Sequence, residues 1–373
     1  MASISPSEAI IDLNAYAHNI GVVRRFVGPG PGILAVIKAD AYGHGLVPVA
    51  QKALEAGVQM LGVAAIDEGI QLREAGIEGA ILVMAQAGAD ALSAAIEHRL
   101  TLTIADVATA ELIGEIAHRL NRVVRVHCKI DSGMGRQGFA LESAPDDIQY
   151  ITRISRIDIE GIATHFPVAD KAEDGFTHNQ IKAFKQVLKQ LDKRGIPYEM
   201  AHAANSAAII NYHGSAFDMV RPGLMTYGVW PCQEPATQDL LRPVLRWEAR
   251  VTQVRELEPG SSVGYGRTYT TKSRMRAAIV PVGYADGYQH RLSNRADVLI
   301  RGKRCPVRGS VCMDQIVADV SQLDSVQAGD IATLIGSDGE EAITPHELAH
   351  HAETIPYEIL TGIGQRVPRR YLD

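Results

Sequence analysis

The 373-residue chain has no long basic run, no apolar stretch of membrane-spanning length and no C-x-x-C pair. Each absence removes a class of function. Without a basic run, and with a formal net charge of -6, nucleic acid and anionic membrane surfaces are not expected as partners. Without a long apolar stretch, no membrane span is expected. The opening "MASISPSEAI" lacks a basic segment followed by an apolar one, so no secretory signal is expected. The four cysteines (Cys128, Cys232, Cys305 and Cys312) are scattered. They read as reduced thiols of a cytoplasmic protein. There is no internal repeat, low-complexity segment or flexible linker, and no metal site is expected.

What is present is an ordinary globular composition, 46% hydrophobic and 21% charged, in a chain too long for one core. The first part alternates short apolar runs with amphipathic stretches. Strands are expected at 33–37, 60–64, 80–84, 100–104, 123–130, 157–164, 198–201 and 218–220. All but the last alternate clearly with helical patterns, including 46–56 (stopped by Gly57) and 177–194. Eight such strands predict a (β/α)8 barrel rather than an open sheet. From Val244 onward, runs such as "RAAIVPV", "DVLI" and "DIATLI" are separated by turns such as "LEPGSS" and "QAGD". That spacing predicts a mostly β domain. The expected division is 1–240 for the barrel and 241–373 for the β domain.

Ionisable residues gather at the predicted strand ends. Lys38 follows the apolar run of "AVIKADAYGHG" without a break. A lysine ammonium must reach water or a partner, so packing alone does not explain it there. On the fifth strand Arg125, His127, Lys129 and Asp131 share one parity, opposite Val124, Val126, Cys128 and Ile130. His165, His202 and Arg221 end the sixth, seventh and eighth strands. Singly, each reads as a surface cation or a structural histidine. Five strands delivering such groups to one rim point to an active site, because barrel chemistry collects at strand C-terminal ends. Asn205 and Ser206 open an apolar helix, and Gly223 directly follows the last strand. Together they form an expected phosphate cradle. "DSGMGRQG" fits neither common phosphate-loop spacing and reads as a flexible turn carrying Arg136 toward the site. A phosphate cradle plus a lysine at a strand tip suggests pyridoxal phosphate (PLP), whose aldehyde a lysine amine can capture.

At this point the sequence resembles a known family. "AVIKADAYGHG" is similar to the PLP-lysine signature of alanine racemases. The likeness continues through "KIDSGMGRQGF", "GIATHF", "HAANSAA", "RPGLMTYG", "SVGYGRTY", "PVGYADGY", "GSVCMDQ" and "TIPYEILTGIGQRVPRRY". The resemblance implies a PLP barrel plus a β domain to which residues 1–12 belong, in a head-to-tail homodimer. It implies that Lys38 holds PLP covalently and serves as one base, and that Tyr265 is the opposite base. Tyr265 and Met313 would come from the partner subunit. Tyr42, Ser206, Gly223, Leu224 and Tyr357 would hold the phosphate. Arg221 would face the pyridine nitrogen, with His165 and His202 behind it. Arg136 would bind near the cofactor phenolate and the substrate carboxylate. Lys129 resembles a lysine that is carbamylated in many relatives to position that arginine. Met313 would offer its backbone N–H to the carboxylate beside Asp314, and Tyr284 would line the entrance. The chain departs from many relatives at Ser310, where they carry arginine, a difference that bears on the polarity of the entry corridor.

The implied reaction interconverts L- and D-alanine and supplies D-alanine for peptidoglycan. It needs a base on each face of the substrate. Free lysine (pKa ~10.4) and tyrosine (pKa ~10) are weak bases at neutral pH, so both must be tuned by neighbours. An arginine at the pyridine nitrogen gives up no proton and leaves the ring a weaker electron sink, which favours proton return over transamination. A fold-related PLP decarboxylase would be expected to carry a carboxylate in place of Arg221. A non-enzymatic PLP carrier would lack the second domain and Tyr265. Serine, or a broader set of amino acids, is the alternative substrate class, because one small group separates serine from alanine.

Overall fold

The computed structural model describes residues 5–172, 175–232 and 240–373. It divides into two compact units. One takes Tyr16–Ala41 and Leu46–Arg242; the other takes the chain up to Ala15, Tyr42–Gly45 and Pro243–Asp373.

The chain enters through β1 (Ser7–Asp12), a strand of the second unit. The first unit is a closed barrel of eight parallel strands: β2 (Gly32–Val36), β3 (Met60–Val63), β4 (Ala80–Val83), β5 (Thr101–Ile104), β6 (Val124–Asp131), β8 (Ile157–Ala163), β9 (Met200–Asn205) and β10 (Met219–Arg221). Pairing runs in that order, and β10 returns to β2 to close the ring. The two-residue β7 (Phe139–Ala140) pairs beside β6. Strands covered on both faces need near-continuous apolar runs, which is why Ile33–Val36 and Ile81–Val83 are buried throughout. The helices turn one stripe inward: Leu46, Val49, Ala50 and Ala53 are the buried positions of Leu46–Glu55.

The structure corrects two sequence expectations. The first barrel strand ends at Val36, and Lys38 opens a short helix, Lys38–Gly43. Four non-glycine residues there, Ala39 to Tyr42, have φ of 52–53°, so the helix is left-handed. The seventh strand begins at Met200 and runs to Asn205, so His202 lies within it rather than at its end. After β10 the chain makes a 3-10 turn, Leu224–Tyr227, where a regular repeat would place an α-helix. The buried Tyr227 hydroxyl there donates to the Val36 carbonyl at 3.0 Å.

In the second unit, β1 pairs antiparallel with β11 (Leu245–Arg250) and parallel with β21 (Arg369–Leu372). The full sheet adds β16 (Asp297–Ile300), β17 (Lys303–Pro306), β19 (Ile331–Asp338) and β20 (Glu341–Ile343). A second sheet holds β12 (Gln253–Leu257), β15 (Met275–Val280) and β18 (Ile316–Asp319). A small hairpin joins β13 (Ser262–Val263) to β14 (Tyr269–Thr270). Trp247 is buried in the main sheet, and its indole N–H donates to Ser7 Oγ at 2.8 Å. Among the described residues, no helix is long and apolar enough to cross a membrane.

Candidate active site

The barrel brings Lys38, Lys129, Arg136, His165, His202, Ser206, Arg221, Gly223 and Leu224 into one unit. Arg221 ends β10 and is buried. Its Nη1 donates to His202 Nδ1 at 2.8 Å. Its Nη2 meets the Thr164 carbonyl at 2.7 Å, the Ala203 carbonyl at 2.9 Å and His165 Nδ1 at 3.1 Å. Burial lowers its pKa to about 10, which still leaves a cation at neutral pH. A guanidinium only donates, so both histidines turn a bare nitrogen toward it and are neutral. Burial, and then the Arg221 charge, hold both ring pKa values well below the usual one.

Lys38 feels the same field. Burial and the Arg136 charge lower its pKa; Glu68 pulls the other way, and Arg221 pushes it further down. Lys129 is buried, and its pKa falls well below the ordinary value, first through burial and then through Arg221 and Arg136. The Lys38 helix is fastened where its handedness is costly, at roughly 1–2 kcal/mol per non-glycine residue. Ala39 N–H donates to Glu68 Oε1, Ala41 N–H to the Ile37 carbonyl at 2.8 Å, and Leu46 N–H to Asp40 Oδ1 at 2.7 Å.

The "DSGMGRQG" segment is a fastened loop rather than the flexible turn expected. Asp131 Oδ1 accepts from the backbone N–H groups of Gly133, Met134 and Gly135 at 2.8–3.1 Å. Burial raises the Asp131 pKa, but these bonds outweigh it and bring the carboxyl below its usual range. Ser206 Oγ accepts from Gly223 N at 2.8 Å and Met225 N at 3.3 Å. Its own proton has no acceptor among the described residues. Leu224, beside Gly223, is buried.

The second unit holds the other candidates. Tyr265 heads a turn with left-handed φ at Gly264, Gly266 and Arg267. Ser310 Oγ donates to the Tyr265 carbonyl at 2.9 Å, and Tyr265 is 77% exposed. Tyr284 N–H donates to the Cys312 carbonyl and Ala285 N–H to the Met313 carbonyl, both at 3.0 Å. A side chain at Gly283 would collide with those two carbonyls. Arg366, which sequence reading missed, fastens this pair of loops. It binds Asp314 at 2.8 Å and Asp286 at 3.2 Å, while Asp286 accepts from Gly283 N–H at 2.9 Å. Tyr42 and Tyr357 stack with ring centroids 5.8 Å apart.

Also missed were the roles of His127 and Glu160, which continue the Arg221–His202 contact. His127 shares the inward parity of Lys129, a signal that was available. Glu160 is a single acid within the apolar run "IDIEGIA", and nothing in its spacing marks it.

Four basic groups, Lys38, Lys129, Arg136 and Arg221, act on one another here with few opposing carboxylates, and an unclaimed Ser206 proton belongs to the same unit. That surplus fits a dianionic phosphate and a phenolate, and a lysine amine with a lowered pKa fits an aldehyde. The fold and the donor set therefore define a barrel-type PLP enzyme.

Comparison with known proteins narrows the class. Residues 11–231 match the alanine racemase N-terminal domain family, and residues 244–371 match the alanine racemase C-terminal domain family. The alanine racemase of Halothermothrix orenii is 42% identical over 366 residues, covering 98% of this chain and 97% of the relative. That of Geobacter sulfurreducens is 40% identical over 372 residues, covering 99% and 97%. The alanine racemase structure from Clostridium difficile 630 superposes with a TM-score of 0.94 at 36% identity, covering 99% of this chain and 96% of that one. The Bartonella henselae alanine racemase, with covalently bound pyridoxal phosphate, gives 0.89 at 30%, covering 99% and 100%. The chain belongs to the alanine racemase family, PLP-dependent enzymes that interconvert L- and D-alanine.

Proposed function

We propose that this chain racemises alanine with Lys38 and Tyr265 as bases on opposite faces of the substrate, in a head-to-tail homodimer to which the partner contributes Tyr265 and Met313. Bound PLP would supply the electron-withdrawing ring that makes the alanine α-proton removable. Lys38 would hold the cofactor covalently, and its lowered pKa suits it to take or return a proton at Nζ. Ser206 and the Gly223 N–H would hold the phosphate, with Leu224, Tyr42 and Tyr357 completing the cradle. Arg221 would face the pyridine nitrogen as a fixed donor backed by His165 and His202. Arg136, flanked by Lys129, would orient the phenolate and the substrate carboxylate, and Met313 N–H beside Asp314 would hold that carboxylate from the other side. Tyr284 would line the entrance.

The exposure of Tyr265 carries the reading of a shared site. A catalytic tyrosine 77% exposed, in a unit that also exposes Met313 (53%), Ile355 (58%) and Tyr284 (46%), is explained by a second subunit that covers it. The cysteines Cys128, Cys232, Cys305 and Cys312 are free thiols, in keeping with a reducing cytoplasm, where the product D-alanine would feed peptidoglycan synthesis. Chiral analysis of products from L-alanine, L-serine and larger L-amino acids tests the substrate. Turnover should favour alanine over serine by at least about tenfold. Equal turnover would make this a broader racemase.

A further inference from the structure

Arg221 stands at one end of a hydrogen-bonded chain that runs through His202 to residues the racemisation scheme above does not use. Its Nη1 lies 2.8 Å from His202 Nδ1, and His202 Nε2 lies 2.7 Å from His127 Nδ1. His127 Nε2 lies 3.1 Å from Glu160 Oε2, and Glu160 Oε1 lies 2.8 Å from Arg125 Nη1. His127, His202, Glu160 and Arg221 are all buried. Arg125 is half exposed and also faces Asp158 at 3.8 Å. Thr101 Oγ1 touches the same Glu160 oxygen at 3.4 Å.

The chemistry of the two ends fixes every proton between them. A guanidinium has no acceptor, so His202 Nδ1 is bare and its proton sits on Nε2. That proton is donated to His127 Nδ1, which must then also be bare. The His127 proton therefore sits on Nε2 and goes to the Glu160 carboxylate. Neither ring can reverse without setting donor against donor. Burial works against the Glu160 charge, but its contact with His127, and then its contact with Arg125, hold its pKa below the usual range.

The backbone is shaped for this chain. Register between β6 and β8 shifts at Val126/His127, so that Val126 pairs with Ile159 but His127 pairs with Gly161. This leaves Glu160 as the extra residue of a bulge. A Cβ at Gly161 would lie 2.6 Å from His127 Nδ1, so glycine leaves room for the ring.

We propose that Glu160 and His127 are positioning residues for racemisation: acting through His202, they hold the Arg221 guanidinium in one orientation and supply the carboxylate that answers its buried charge. The proposal rests on the reading that Arg221 faces the cofactor ring. Its geometry does not, because the chain is complete within this unit without any ligand.

Two measurements on the holoenzyme test it. In the first, the protein is labelled with 15N-histidine and its ring nitrogens are observed by NMR. The wild type should show both His127 and His202 as Nε2–H tautomers with a bare Nδ1. A proton on either Nδ1 would overturn the chain without any variant being made. In the second, Glu160→Gln replaces a fixed acceptor with an amide that can also donate. Its kcat should fall by about 10- to 100-fold with KM within about twofold, and the visible band of the bound cofactor should shift. Thr101→Val, which touches Glu160 but lies outside the chain, should leave both unchanged. A folded Glu160→Gln with wild-type kcat and spectrum overturns the positioning role. Arg221→Lys separates the two ideas. If it is impaired while Glu160→Gln is not, the relay alone is wrong. If Arg221→Lys is fully active, the placement of Arg221 falls and this proposal falls with it.

Discussion

Arg221 Nη2 lies 3.1 Å from His165 Nδ1, and among the described residues no carboxylate lies within ion-pair distance of that guanidinium. The charge is held instead by ring nitrogens and carbonyls arranged as a fork. Lysine keeps the charge but cannot reproduce the fork. Arg221→Lys should therefore retain PLP, as judged by its visible spectrum, while racemisation falls by about 10²-fold. Activity within twofold of wild type would show that charge alone suffices.

Borohydride reduction of the holoenzyme should fix the cofactor to Lys38, and peptide mass spectrometry should find the adduct there. Lys38→Ala should lose racemisation altogether, because anchor and base go together. An adduct on a different lysine would remove Lys38 from the centre of the account.

Lys129 links the site to pH. Its folded pKa lies well below the ordinary value because it is buried beside Arg221 and Arg136. Between that folded value and ~10.4, the unfolded chain binds the extra proton, so stability rises with pH through this window. In buffer freed of carbon dioxide, raising the pH from about 7 to about 10 should raise the Tm of wild type relative to Lys129→Met. A parallel pair of curves would mean that the amine is not perturbed. A neutral amine also adds carbon dioxide, so 13C-bicarbonate should give a carbamate carbon signal that Lys129→Met lacks. Its absence would leave Arg136 without Lys129 as an anionic partner.

Gly43 ends the left-handed helix at φ 80°, and a side chain there would collide with the Leu360 carbonyl oxygen. Gly43→Ala should cost about 2 kcal/mol or more, read as a Tm lower by several degrees. An unchanged Tm would mean that the helix and the Leu360 backbone can shift apart freely.

That helix also shows where sequence reading stops. The barrel strands were legible because burial on both faces forces apolar runs, as in Ile33–Val36. The site was legible in part because lysine, arginine and histidine at strand ends break the packing logic. The left-handed turn was not, because Ala39, Asp40, Ala41 and Tyr42 carry no glycine to announce it; the tertiary bond from Ala39 N–H to Glu68 and the local one from Leu46 N–H to Asp40 fasten it. Asp131 was read as part of a loose loop because its three N–H partners become visible only once the loop closes on it. Glu160 was passed over because a bulge, which leaves no mark in the spacing of "IDIEGIA", displaces it from the strand's ordinary alternation. Arg366 was missed because its two carboxylates lie 52 and 80 residues away in the chain.

The most direct test mixes two inactive proteins. Lys38→Ala lacks the base proposed for the barrel unit, and Tyr265→Phe lacks the one proposed for the β unit; each variant alone should retain at most ~10⁻² of wild-type racemisation. If Tyr265 acts across a two-fold dimer, a mixed dimer has one site lacking both bases and one site with both restored. Mixing with subunit exchange should then recover activity, up to about half of wild type per mixed dimer. Verified heterodimers that remain as inactive as their parents would place Tyr265 in its own subunit's site, or outside the reaction.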